Sequence, residues 1–181
     1  MKIFKLILLA IGVIVALIFL LAAFVPREMS VTRSKLIVVP YDIVYQNCVS
    51  LEAHNVWSPW NERDPNIEIR FEGVDGQVGS RYHWKGNKDV GEGYEELTAI
   101  SDQLIETKLQ FVEPWESEAT TSLKLEPTAE GILVHWSFYS ESAYPMNIMN
   151  LLVESQLAPD FEYGLNKLHD LCIQQEAATL E

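Results

Sequence analysis

Between residues 66 and 140 apolar and polar positions alternate. Ile105, Thr107, Leu109 and Phe111 fall in one phase, with Glu106 and Lys108 in the other. Ala119, Thr121, Leu123 and Leu125 stand against Glu118, Lys124 and Glu126 in the same way, and Val134, Trp136 and Phe138 repeat at the same step. Successive side chains of a strand point to opposite faces, so a period of two predicts an antiparallel sheet with one apolar and one wet face. The turn signals GVDGQVG, KGNKD, SD, EPWE and PTAEG divide the stretch into strands near 66–72, 79–85, 89–100, 103–111, 116–126 and 131–140. Six strands with such short connections form a meander.

The flanking segments follow other periods. VTRSKLIVV (31–39) is rich in β-branched residues and stops at Pro40, which cannot donate to a ladder but suits a helix start, with Asp42 in the first turn. Val44, Cys48 and Leu51 then recur at helical spacing until VWSPW, where Pro59 bars Ser58 from helical geometry. After the meander, Met149, Leu152 and Val153 lead to Pro159, and Phe161, Leu165, Leu168 and Cys172 continue at i, i+4, i+7 and i+11. This predicts a long helix with one apolar stripe, kinked or split at Pro159. The element order is β-αα-β6-α, an α+β arrangement in which the helix covers the apolar face of the sheet.

Ahead of this lies an uncharged run, residues 6–26, between Lys5 and Arg27. As a helix it covers roughly 30 Å, the thickness of a bilayer's hydrocarbon core. It reads as one transmembrane helix. A cleaved signal peptide is the competing reading, since Lys2 and Lys5 form a short positive region and Ala22 and Ala23 are small, but the run is longer than a typical signal core. The expected organisation is an anchor over 1–27, a domain over 28–175 and a tail over 176–181. Basic residues on the two sides of the run are nearly balanced, and the expected topology is single-pass with an extracytoplasmic domain.

Charge narrows the partners. The chain has 26 acidic and 13 basic residues, net −13, and is more acidic still without Lys2 and Lys5. No Lys/Arg cluster follows the run, so the basic stripe that nucleic acid requires is missing. His54, His83, His135 and His169 are scattered without H-E-x-x-H or i, i+4 pairing, and the 2 cysteines form no C-x-x-C, so no metal or cofactor is expected. Each histidine reads as a surface or packing residue. Cys48 and Cys172 sit on apolar helix positions and read as buried free thiols, with a disulfide as the alternative outside the cytoplasm.

VTRSKLIVVPYDIVY, VWSPW, VGSRYHWKGNKDVGEG, SFYSE and APDFEYGLNKL, together with the element order, resemble the helix-grip proteins of the START-like (SRPBCC) superfamily, in particular its membrane-anchored polyketide cyclase/dehydrase-like branch. The resemblance covers roughly residues 30–172. It implies a curved antiparallel sheet gripping the long C-terminal helix, with a cavity between them for an apolar or amphipathic small molecule such as a lipid or polyketide. It implies that Trp57 and Trp60 pack where the helical pair turns into the sheet. Where related sequences often carry an aromatic just before this motif, His54 stands here and makes that rim more polar. No catalytic signature is present: there is no G-x-S-x-G, no phosphate loop and no nucleophile with an assigned base. The chain therefore reads first as a membrane-tethered binding module; a cyclase or dehydratase using a pocket carboxylate or histidine, and a protein acting through contacts with an envelope protein, are the alternatives.

Strand phase and the resemblance together place Tyr82, Trp84, Phe111, Trp136, Phe138, Met149 and Leu152 on the interior. Glu95 joins them by phase: counting back from Leu97 and Ala99 puts it inward and Glu92 and Glu96 outward. Without a partner there, its carboxyl would shift toward the neutral form and could donate a hydrogen bond to a ligand. Two alternatives stay open: a bulge at Gly91 and Gly93 that returns Glu95 to solvent, or a neighbouring side chain that pairs with it.

Overall fold

A computed structural model describes residues 2–179. Helix α1 (Lys2–Ala22) is followed by strand β1 (Glu28–Ile37), helices α2 (Tyr41–Val49) and α3 (Leu51–Trp57), and a 3-10 turn, Trp60–Arg63. Strands β2 (Glu68–Glu72), β3 (Arg81–Lys85), β4 (Glu92–Ile100), β5 (Leu104–Glu113), β6 (Ser117–Pro127) and β7 (Ile132–Glu141) come next. A second 3-10 turn, Met146–Met149, leads into helix α4 (Asn150–Thr179).

All seven strands form one antiparallel sheet in the order β1-β7-β6-β5-β4-β3-β2. The meander supplies the local pairings, and the first strand closes the far edge by pairing with the last along its whole length, from Glu28 opposite Glu141 to Ile37 opposite Ile132. Alternation is visible as burial: Ala119, Thr121, Leu123 and Leu125 are buried on β6, while Glu118, Lys124 and Glu126 are exposed. Register slips by one residue at the start of β4, between Glu92 and Gly93, and again between Leu97 and Ala99. Between those slips pairing is continuous, Gly93 to Phe111, Glu95 to Leu109 and Leu97 to Thr107, so the bulge near the glycines does not reverse the phase of Glu95.

Asp75, on the β2–β3 turn, secures the corner between α2 and α3. It accepts the Leu51 backbone N–H at 2.7 Å and the Ser50 hydroxyl at 2.5 Å, while Ser50 caps α3 by accepting from Ala53 N. α3 ends at Trp57, ahead of Pro59, for the steric reason given above.

α4 differs from expectation. Pro159 lies inside one continuous 30-residue helix and does not split it. The missing N–H of a proline costs one helical hydrogen bond, but Ala158 and Phe161 on either side are buried, so packing carries the helix through the defect. α4 also runs through residues 176–179, read above as a tail; the last two tail positions, 180 and 181, lie outside the described residues.

Ile37, Val44, Leu125, Val134, Leu168 and Cys172 form a core with no exposed surface at one end of the sheet–helix interface. Cys48 and Cys172 are both buried free thiols; burial raises the thiol of Cys172 to about 11. At the other end of the interface the packing opens.

Candidate functional site

The opening is a cavity of about 230 Å³ between the concave face of the sheet and α4. That far exceeds the roughly 10–15 Å³ one water molecule needs. β3 contributes Tyr82 and Trp84, β5 Leu109 and Phe111, β7 Trp136 and Phe138, and α4 Leu157 and Phe161. The rim reaches the surface between the turn after α3 and the β3–β4 loop, where Arg63 and Asp89 are exposed. Asp64 ties these two rim segments together by accepting the Asn87 N–H at 2.6 Å and the Asn66 N–H at 2.9 Å.

The rings brace one another. Trp136 stacks on Phe161 at 4.0 Å with 7° between planes, and Trp84 meets Phe111 edge-on at 5.9 Å. Gly164 lets α4 come this close to the sheet, because a Cβ there would stand 2.7 Å from Trp136 Cζ3 and 3.2 Å from Pro59 Cδ. A side chain at Gly93 would likewise strike the Trp84 indole, at 2.6 Å.

One charged group sits in this apolar lining. Glu95 points inward and is 3% exposed. It is not without partners: Oε2 lies 3.2 Å from His54 Nδ1, and Oε1 accepts the Thr107 hydroxyl at 2.6 Å. Thr121 Oγ1 stands 2.5 Å from Thr107 Oγ1 and 3.4 Å from the same carboxylate oxygen. Burial by itself pushes the carboxyl up. The His54 charge and hydrogen bond, joined by the two threonine hydroxyls, outweigh it and hold the carboxyl below its ordinary range. The expected neutral, donating carboxyl is thus replaced by a paired carboxylate. Nearby Tyr82 donates to Asn61 Oδ1 at 2.9 Å, and burial followed by the Glu95 charge raises its phenol.

His54, read above as a surface or packing residue, is the partner that strand counting missed. α3 delivers it across the sheet, its ring stacked on Trp57 at 4.3 Å and edge-on to Trp136 at 5.7 Å. With Nδ1 on the carboxylate, its Nε2 is buried without a partner, as is Nε1 of Trp136. Both residues line the cavity. Buried polar atoms are nearly always satisfied, which singles out these two nitrogens, just behind the cavity surface, as its unspent polar groups. The signal for His54 was its position in the motif, an imidazole where an aromatic is usual.

Of the eight residues placed on the interior from the sequence, the structure brings Tyr82, Trp84, Glu95, Phe111, Trp136 and Phe138 to this cavity. Met149 and Leu152 lie elsewhere, 48% and 51% exposed. Leu152 stands half a turn round α4 from Phe161, and Met149 closes the 3-10 turn ahead of the helix, so neither side chain faces the sheet. Trp57 is fully buried with its indole N–H on Asn47 O at 3.0 Å, a packing role, whereas Trp60 is half-buried and lines the cavity. Among the described residues no cluster of His, Cys, Asp and Glu has metal-site geometry.

No protein-family model and no curated relative matches the sequence. Solved structures do match the fold. The di-domain ARO/CYC StfQ from the steffimycin biosynthetic pathway aligns with 82% of this chain at a TM-score of 0.62 and 11% identity. The fold is a helix grip. A Staphylococcus aureus protein of unknown function shares this helix grip with a TM-score of 0.63 and 14% identity over 85% of this chain and 97% of its own. Ara h 8.0201 shares it at 0.52 and 14% identity, over 81% of this chain and 99% of its own. The chain spans about half of StfQ, 51% of its length.

Proposed function

We propose that the protein is a membrane-tethered binding module that holds a hydrophobic or amphipathic small molecule between the sheet and α4. The observation that carries this reading is the aromatic cavity with two unpartnered polar atoms in its walls, Nε2 of His54 and Nε1 of Trp136. Rings supply apolar area at little entropic cost, and a few polar groups fix orientation. Because Nδ1 of His54 is committed to Glu95, Nε2 and the indole N–H are the groups left for a ligand's carbonyl, carboxylate or hydroxyl. Glu95 acts through His54, setting its ring orientation.

α1 supports the tether. Residues Ile3–Ala22 are a candidate span with mean hydropathy 3.0, and its most apolar window is not buried by the rest of the protein. In this reading the domain, from Glu28 onward, sits outside the cytoplasm and the anchor holds it to one leaflet.

The test is to purify the chain from Glu28 on, identify by native mass spectrometry any small molecule that travels with it, and titrate tryptophan fluorescence with fatty acids, sterols and aromatic polyketides. A bound amphiphile whose affinity falls tenfold or more in His54→Phe, roughly the worth of one hydrogen bond to a charged group, is the expected result. Retention of affinity in that variant removes the polar contact. No bound species and unmoved fluorescence reject the module.

A second reading rests on the same pair. An imidazole held by a carboxylate in a largely apolar cavity is suited to acid–base work, and StfQ is an ARO/CYC protein. Turnover of a polyketide-like substrate that is lost in His54→Gln while binding persists would favour an enzyme.

A further inference from the structure

The apolar stripe of α4 does not end at the cavity. Phe161 and Leu157 line the cavity wall, and Val153 packs on the small cluster of Met29, Val31 and Ala158. Met149 closes the 3-10 turn just ahead of the helix. Around it Phe24, Tyr144, Met146, Leu151 and Leu152 are also exposed, between 42% and 81%. Scattered exposed apolar residues need no explanation, but a contiguous group of large ones does.

This group is fastened to the exit of α1. The Tyr144 hydroxyl donates to Phe19 O at 3.0 Å, and its ring meets Phe19 edge-on at 5.8 Å. Asn147 Nδ2 donates to Ala22 O and Val25 O, both at 2.7 Å. Asn150 Nδ2 donates to Pro26 O and Arg27 O, both at 3.0 Å. Phe19 lies three residues inside the end of α1, about 4.5 Å along the helix axis. A leaflet that covers α1 to its last residue therefore covers the Tyr144 ring as well.

We propose that residues 144–152 and Phe24 form a membrane-interface surface that seats the domain on the leaflet at the C-terminal end of α1. The proposal rests on the reading of α1 as a membrane span. Its occupant is lipid rather than protein, because the side chains that carry the group are bonded to the backbone of the span's own end. The chemistry selects apolar insertion into zwitterionic lipid. Arg27 is the one cation in this stretch, with Glu28 next to it and Glu141 opposite Glu28 across the sheet, so attraction to anionic headgroups is not the driving force. Tyr144 places an amphipathic ring where aromatic residues concentrate in membrane proteins. The surface also accounts for Met149 and Leu152, large apolar side chains that are exposed rather than turned to the cavity.

The experiment uses the full chain in phosphatidylcholine vesicles whose acyl chains carry bromine near the headgroup, compared with unbrominated vesicles. Met149→Trp and Leu152→Trp each add an indole to the surface; Val74→Trp adds one to the exposed β2–β3 turn on the opposite edge of the sheet. The fluorescence contributed by the new indole is expected to fall roughly twofold in brominated lipid for both surface variants, as for a ring at headgroup level, and to be unchanged for Val74→Trp. A carbonate wash of the same vesicles separates the two ways to fail. Protein retained after the wash but unquenched at Met149 and Leu152 overturns the seating surface and leaves the span intact; protein released by the wash overturns both.

Discussion

The two ends of the interface between the sheet and α4 are built from different side chains. At one end branched aliphatics and a thiol from β1, α2, β6, β7 and α4 interlock: Ile37, Val44, Leu125, Val134, Leu168 and Cys172, each 0% exposed. At the other, indoles, phenyl rings and a phenol face one another across about 230 Å³. Aliphatic chains fill space in many rotamers and close to crystal-like density, whereas flat rings braced edge to face hold walls apart. Polar chemistry follows the same division. Asn47, at the packed end, is spent on structure, donating to Ile43 O at 2.8 Å and Gln175 Oε1 at 2.6 Å. His54 and Trp136, at the cavity end, each keep a buried nitrogen in reserve. One end is filled by packing and the other is left open.

Truncation at the packed end should show the largest effect. Leu168→Ala leaves a cavity that rigid neighbours cannot fill and should cost about 3 kcal/mol in urea unfolding. Phe111→Ala, on the cavity wall, should cost clearly less, about 1 kcal/mol, because part of its ring already faces open volume; equal losses would erase the distinction between the ends. Glu95→Gln should cost about 2 kcal/mol near neutral pH by leaving His54 with a neutral partner. The sign of its pH dependence follows from the lowered carboxyl. The pair's contribution is fully present above the ordinary value of 4.5 and is lost as pH falls through the depressed one, so wild type and variant should converge in acid. His54 from α3 and Tyr82 from β3 are the titrating neighbours that accompany Glu95. Convergence above pH 5 would instead mean that Glu95 is not held as a carboxylate.

Gly164→Ala tests how closely the ends are joined. The substitution improves helix propensity by about 1 kcal/mol, but the new methyl group meets the Trp136 ring and Pro59, so a net loss of about 1 kcal/mol is expected in thermal unfolding. A gain in stability would show that the wall can yield. The smallest effect is expected outside the interface altogether: Lys124→Ala removes an exposed pairing with Glu126 and should leave the melting temperature unchanged within error.

The features that a single chain segment encodes were legible without the fold. Period-two alternation placed six strands within a few residues of where they lie, because burial of one sheet face imposes that pattern whatever the sheet packs against. The inward direction of Glu95 followed from counting two residues back from Leu97 along β4, since pairing between the two register slips is regular; Ala99, the other reference, lies beyond the second slip. Pro40, Ser58 and Pro59 marked helix boundaries through local backbone sterics. What no segment encodes is which elements meet. Glu95 and His54 are brought to 3.2 Å by the placement of α3 over β4, and that contact, not the phase of the strand, decides whether the carboxyl is a lone acid or half of an ion pair. Pro159 remains inside a continuous helix because Ala158 and Phe161 are held by the rest of the interface, a tertiary force that outweighs a local defect. Met149 and Leu152 are apolar like Phe161, and apolar character does not say what a side chain will pack against; that α4 begins only after Met149, and that the exit of α1 lies beside it, was settled by the tertiary structure alone, because burial depends on the neighbour a face receives and not on the face itself.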